Sequence, residues 1–232
     1  MNLLDEGKAL LANQKVREGT VNFLADCGDA LLGNPIAIAK IMFSATKAAL
    51  SLPDMLFWDK FESFLAGTDF SEDERLKFCA KLAEGGEKGD NPYRLIEAIN
   101  RCDTKRKIHY LTCASRALAA DFIDRATYFR IAQTITNCLV EDLEFLVNNI
   151  SSEKDFEYSD TVQGLLNCGL MYRSVICDDD EDRCSFTRFA KTLNLYALSY
   201  DNDEKYSDPK KRESEIMSSN MSTKLKSTAV WG

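Results

Sequence analysis

Residues 160–171 read Asp160-Thr161-Val162-Gln163-Gly164-Leu165-Leu166-Asn167-Cys168-Gly169-Leu170-Met171, and their interpretation decides the C-terminal fold. Val162, Leu165 and Leu166 recur at helical spacing, and the two glycines, Gly164 and Gly169, divide a short helix from a turn that enters a strand. Tyr172 to Cys177 then predicts a first strand, Asp178 to Asp182 its charged tip and Cys184 to Phe186 a second strand. Thr187, Phe189, Leu193, Leu195, Tyr196 and Leu198 suit a final packing helix. Upstream, Asp124 is placed to cap a helix carrying Phe129, Ile131, Ala132, Ile135 and Leu139, and Asp142 to Ile150 predicts another that Ser151-Ser152 breaks.

Three helices, the third over 160–168, followed by two strands, with Leu165-Leu166-Asn167-Cys168-Gly169-Leu170-Met171 as the end of the third helix entering the hairpin, resemble a winged helix-turn-helix domain over residues 122–200. The resemblance implies DNA recognition through the third helix and the wing, in a dimer. A DNA interface of this kind requires Arg116, Arg125 and Arg130 to converge with Gln163 and Arg173. The residue chemistry ranks that use second. The third helix has no Lys or Arg, and Asp178-Asp179-Asp180-Glu181-Asp182 sets five acids where phosphate would lie, with Arg173, Arg183 and Arg188 as the nearby cations. An acidic tip centred on Asp179 and Asp180 fits a protein partner better. Consecutive aspartates lack the spaced donors of a calcium loop, and Cys177 with Cys184 is too small a set for zinc.

Towards the N-terminus the pattern is helical. Leu10, Val16, Leu24, Cys27 and Leu31 form intermittent apolar faces, and Gly33-Asn34-Pro35 ends one helix and starts the next. Residues 34–50 carry only Lys40 and Lys47 as charges. At about 1.5 Å per residue they would span about 25 Å, short for a bilayer, so a buried helix is expected first. A partner-binding helix through Ile38, Ile41 and Met42, or peripheral membrane contact, is the alternative, and no transmembrane span is expected. Ser51 and Pro53 start a helix carrying Phe57, Trp58, Phe61, Phe64 and Leu65, in which Phe57, Phe61 and Phe64 share a face, with Gly67 as its exit; Trp58 is a further candidate partner contact. Ser71 and Glu74 have capping-box spacing ahead of Leu76, Phe78, Cys79 and Leu82.

The glycine-rich stretch 84–91 reads as a loop, since no Gly-Lys-Ser/Thr follows Gly85-Gly86. Pro92 opens a helix with Leu95, Ile96 and Ile99 inward, and Asp103 or Thr104 caps the next, through Ile108, Leu111, Ser115 and Leu118. Residues 101–130 hold seven Lys or Arg against three Asp, so this is the sizeable basic region, and Lys105, Arg106, Lys107, Arg116, Arg125 and Arg130 are expected to form a solvated face or a phosphate-holding one. His109 lies among them without the partners that catalysis or zinc demands.

With 232 residues, 45% of them hydrophobic, the chain has ample material for a core. A net charge of −8 argues against indiscriminate coating of nucleic acid or anionic membrane. The eight cysteines include Cys27, Cys79, Cys113, Cys138 and Cys168 inside apolar helical patterns; together with the lack of a cleavable apolar leader they point to reduced thiols in a cytoplasm. The expected fold is mainly α: a helical bundle-like interaction domain over 1–120, a winged-helix-like α+β module with a small β-hairpin over 121–200, and a flexible tail over 201–232. The expected function is a non-enzymatic helical protein-interaction or regulatory protein, compatible with a prokaryotic or phage source, with a protein partner or homo-oligomer and no cofactor or metal. The alternative is a DNA-binding transcriptional regulator.

Overall fold

A computed structural model describes residues 3–13, 16, 22–31, 33–46, 51–83, 90–152, 155–174 and 183–200. The expected 84–91 loop up to residue 89, residues 175–182 with the end of the expected first strand and its charged tip, and the expected tail 201–232 lie outside them. The protein is mainly helical and divides into two compact units, residues 1–140 and 141–232.

The first unit contains α1 (Leu3–Ala9), α2 (Phe23–Leu31), α3 (Pro35–Thr46), α4 (Leu52–Thr68), α5 (Glu72–Ala83), α6 (Asp90–Arg101), α7 (Lys105–Ala119) and α8 (Arg125–Asn137). Gly33, at φ +93°, makes the turn between α2 and α3, and the Asn34 side chain accepts from the Ile36 N–H at the start of α3. Ser51 caps α4 by accepting from Asp54 N, and Ser71 and Glu74 form the reciprocal capping box of α5, Ser71 N donating to Glu74 Oε2 at 2.9 Å and Glu74 N to Ser71 Oγ at 3.3 Å. Thr104 and Asp124 cap α7 and α8 in the same manner.

Helix α7 is the centre of this unit, packed by α4, α5 and α8. It is buried nearly all round, from Ile108 and Leu111 through Ala114, Ala117 and Leu118. Phe57, Trp58, Phe61 and Phe64 of α4 point inward as their spacing requires. Each fully buried ring contributes about 1.5–3 kcal/mol of transfer free energy.

Some expectations are corrected here. Gly67 does not end α4; the helix runs on to Thr68 and Asp69 takes the left-handed turn at φ +44°. Gly67 instead lets α4 approach α7, where a Cβ would stand 2.9 Å from Thr112 Cγ2. Leu76 and Leu139 follow the helical apolar pattern yet are exposed, at 59% and 62%. Lys107, expected on the solvated basic face, is buried with its Nζ 2.9 Å from Asp103 Oδ2 one turn earlier.

The second unit is winged-helix-like: α9 (Val140–Asn149), β1 (Phe156–Glu157), α10 (Asp160–Asn167), β2 (Met171–Ser174), β3 (Arg183–Phe186), α11 (Arg188–Leu193) and a π-helical turn (Asn194–Leu198). The strands pair antiparallel in the order β1-β3-β2, with Phe156 opposite Cys184 and Met171 opposite Phe186. The hairpin strands were expected at 172–177 and 184–186; the described strands begin one residue earlier, at Met171 and Arg183. Strand β1, interposed between two helices, had no counterpart in the expected order of three helices and two strands. It is two residues long, too short to show alternation, and exists because its distant partner β3 supplies the pairing.

Candidate nucleic-acid interface

Helix α10 begins at Ser159, whose hydroxyl accepts from Val162 N. Val162 and Leu165 are fully buried, so the opposite stripe, Asp160, Gln163 and Asn167, faces outward. Gly164 sits in mid-helix rather than at a break. A Cβ there would overlap Oδ2 of Asp142 on α9 and stand 3.1 Å from its Cγ, so the missing side chain is what lets the two helices touch. Asp142 is itself buried; burial pushes its carboxyl above the usual range, with the Glu141 charge adding to it.

Gly169, at φ +70°, turns the chain from α10 into β2 as the sequence requires. The turn is locked from both sides: Leu170 N donates to Leu165 O at 2.8 Å, Thr187 N to Leu170 O at 2.9 Å and the Thr187 hydroxyl to Gly169 O at 3.1 Å. An aromatic series braces the sheet, Phe145 against Phe156 at 5.5 Å and Phe156 against Phe186 at 5.3 Å. Ser185 donates a hydrogen bond to Asp155, tying β3 to the approach to β1.

On the outer surface of α10, the Tyr158 hydroxyl donates to Gln163 Oε1 at 2.8 Å, and Gln163 Nε2 donates to Asn167 Oδ1 at 2.6 Å. Arg173 on β2, Arg183 on β3 and Arg188 on α11 are exposed, and Lys191 on α11 is half-buried. Residues 161–174 and 183–200 contain these four cations and no Asp or Glu. The acids of the described second unit all precede Thr161, the last of them Asp160 at the head of the outward stripe.

The sequence-derived candidates are distributed as follows. Gln163 and Arg173 belong to the second unit, Arg116, Arg125 and Arg130 to the first. Arg116 is half-buried, its charge helping to hold the Glu74 carboxyl below the usual range after the hydrogen bonds from Ser71. Arg125 lies 5.7 Å from the Phe129 ring centroid, a ring that Arg94 covers at 3.9 Å, while Arg130 is exposed. Ile38 and Ile41 are fully buried, and Met42 and Trp58 are 8% and 7% exposed, so these four side chains are spent in the core of their own unit. Asp179 and Asp180 lie outside the described residues. Reading by residue type alone missed Tyr158, Asn167 and Lys191. The signal for Asn167 was its i,i+4 spacing from Gln163.

Elsewhere the titratable groups are in structural states. The thiols of Cys27 and Cys102 are pushed up to about 12 and about 11 by burial, the reverse of an activated nucleophile. Tyr128 is wholly enclosed, its hydroxyl 2.9 Å from Ser115 Oγ. His109 is exposed, with Nε2 3.7 Å from Cys113 Sγ. Among the described residues, no group of three or more His, Cys, Asp or Glu is placed to hold a metal, and no helix is long and apolar enough to cross a membrane. No protein-family model, curated protein or solved structure matches the chain, so the functional reading rests on this geometry.

Proposed function

We propose that the protein is a non-catalytic DNA-binding regulator that engages duplex DNA through the outer face of α10 and the cations of the hairpin. The observation that carries this reading is the winged-helix-like arrangement of β2, β3 and α11, which places four cations on the elements that follow α10. Beside α10, the described residues of β2, β3 and α11 hold Arg173, Arg183, Arg188 and Lys191 without an acid, while β1 sets Glu157 opposite Arg183. Arginine on strands beside an exposed helix suits phosphate contact, while short amides on the helix suit base edges. The acid run 178–182 opposes phosphate and in this reading limits non-specific binding.

The test is fluorescence anisotropy of the full chain on a mixed-sequence duplex across a salt series starting at about 50 mM. Arg173→Ala and Arg188→Ala should each reduce the log–log salt slope by about 0.9. Replacing the five acids of 178–182 by Asn and Gln should tighten binding at low salt. Absence of duplex binding by both the wild type and the acid-neutralised variant removes the proposal.

A second reading, protein interaction, is favoured by one observation in the first unit. Leu52, Met55 and Leu56 lie at i, i+3 and i+4 on α4 and are 70%, 43% and 61% exposed. Such a stripe suits a protein partner or a second copy. The free thiols, Cys27, Cys102, Cys113, Cys138 and Cys184 among them buried, support a reducing, cytoplasmic setting.

A further inference from the structure

Resting on the DNA-binding reading, we infer that Gln163 and Asn167 form a prealigned amide pair that selects adenine in the major groove, with Tyr158 as the residue that holds the pair in line. A lone exposed amide turns freely and presents oxygen or nitrogen indifferently. Here the alignment is held by hydrogen bonds. The Tyr158 hydroxyl donates to Gln163 Oε1 at 2.8 Å, which turns Gln163 Nε2 towards Asn167, and Nε2 donates to Asn167 Oδ1 at 2.6 Å. Asn167 therefore keeps its oxygen on the Gln163 side and its NH2 on the far side, where both N–H groups remain to donate. One acceptor position is also left on Oδ1.

An oxygen and an NH2 at fixed positions match adenine, which offers N6–H to the oxygen and N7 to the amide N–H. Guanine presents O6 and N7, two acceptors, and sets O6 against Oδ1. The pair lies on the stripe opposite Val162 and Leu165, and Asn167 is exposed. Asp160 heads the same stripe, so phosphate is disfavoured at that end and the reading position falls at Asn167, six residues before Arg173 in the chain. Prealignment of exposed amides reduces the ordering cost on binding.

The experiment is enrichment of a randomised duplex pool by the full chain, followed by anisotropy on the enriched duplex and its single-pair variants. Wild type should enrich an A·T pair at one position, and G·C there should weaken binding about tenfold. Asn167→Ala should bind the unselected pool within about threefold of wild type, with the same salt slope, and lose the preference. Asn167→Asp, an acceptor only, should move the preference at that position from adenine to cytosine. Tyr158→Phe should blunt the preference without relocating it. Unselective binding by wild type, or an undiminished adenine preference in Asn167→Ala, overturns the amide reading while leaving DNA binding intact. Complete absence of duplex binding by both the wild type and the chain neutralised at 178–182 overturns both.

Discussion

Substituting Gly164 by Ala should destabilise the second unit although the change favours helix formation. In an open helix interior, Gly→Ala gains about 1 kcal/mol. At this position the new Cβ overlaps Asp142 Oδ2 and meets Cγ at 3.1 Å. The carboxylate is on a short, buried side chain, so relief requires a rotamer shift or a displacement of α9 against α10. Overpacking of this kind costs about 1–3 kcal/mol, leaving a net loss of up to about 2 kcal/mol. With Asp142→Ala the obstruction is gone, and the same Gly164→Ala change should stabilise by up to about 1 kcal/mol. The double-mutant cycle in urea, followed by far-UV circular dichroism, should thus give a coupling of about 1–3 kcal/mol and a midpoint lower by up to about 1 M for Gly164→Ala alone. Stabilisation by Gly164→Ala in the wild-type background, or additivity with Asp142→Ala, would refute the close-contact argument.

Because burial raises the Asp142 carboxyl, the folded state binds its proton more tightly than the unfolded chain. Its contribution is full below the unfolded value and is lost as pH rises through the raised folded value, so Asp142→Asn should gain stability relative to wild type over that rise, as read from urea midpoints against pH. Asp124 has the opposite sign. Hydrogen bonds from Thr127 hold its carboxyl below the usual range, so Asp124→Ala should cost about 0.5–2 kcal/mol near neutrality, and the difference should shrink as pH falls through the lowered folded value. Phe61→Ala removes a fully buried ring from α4 and should cost the first unit about 3–5 kcal/mol in calorimetry.

Local chemistry was the most legible part of this fold. The caps at Ser51, Ser71, Thr104 and Asp124 and the positive-φ glycines at 33 and 169 follow from side-chain and backbone preferences within a few residues, and the structure contains them. The aromatic face of α4 was equally plain, because Phe57, Phe61 and Phe64 sit at helical spacing, and Trp58 is buried beside them. Tertiary contact was not. Gly67 and Gly164 look like breakers in one dimension, and only the approach of Thr112 and Asp142 explains why they lie inside helices. Lys107 gave no sign that its own α7 would be central enough to bury it. At the candidate interface, Gln163 and Arg173 were readable as polar residues on the expected elements, whereas Tyr158 acquires meaning only from a hydrogen bond across the start of α10.

Trp58 is enclosed beside Phe61, with ring centroids 6.0 Å apart, and the other tryptophan of the chain, Trp231, falls in the tail. Residues 141–200 contain none. Indole emission from a Trp231→Phe chain is therefore an optical signal of the first unit alone, whereas circular dichroism registers helices of both. Any gap between the two denaturation curves isolates the melting of the winged-helix-like unit, in the intact chain and without a label.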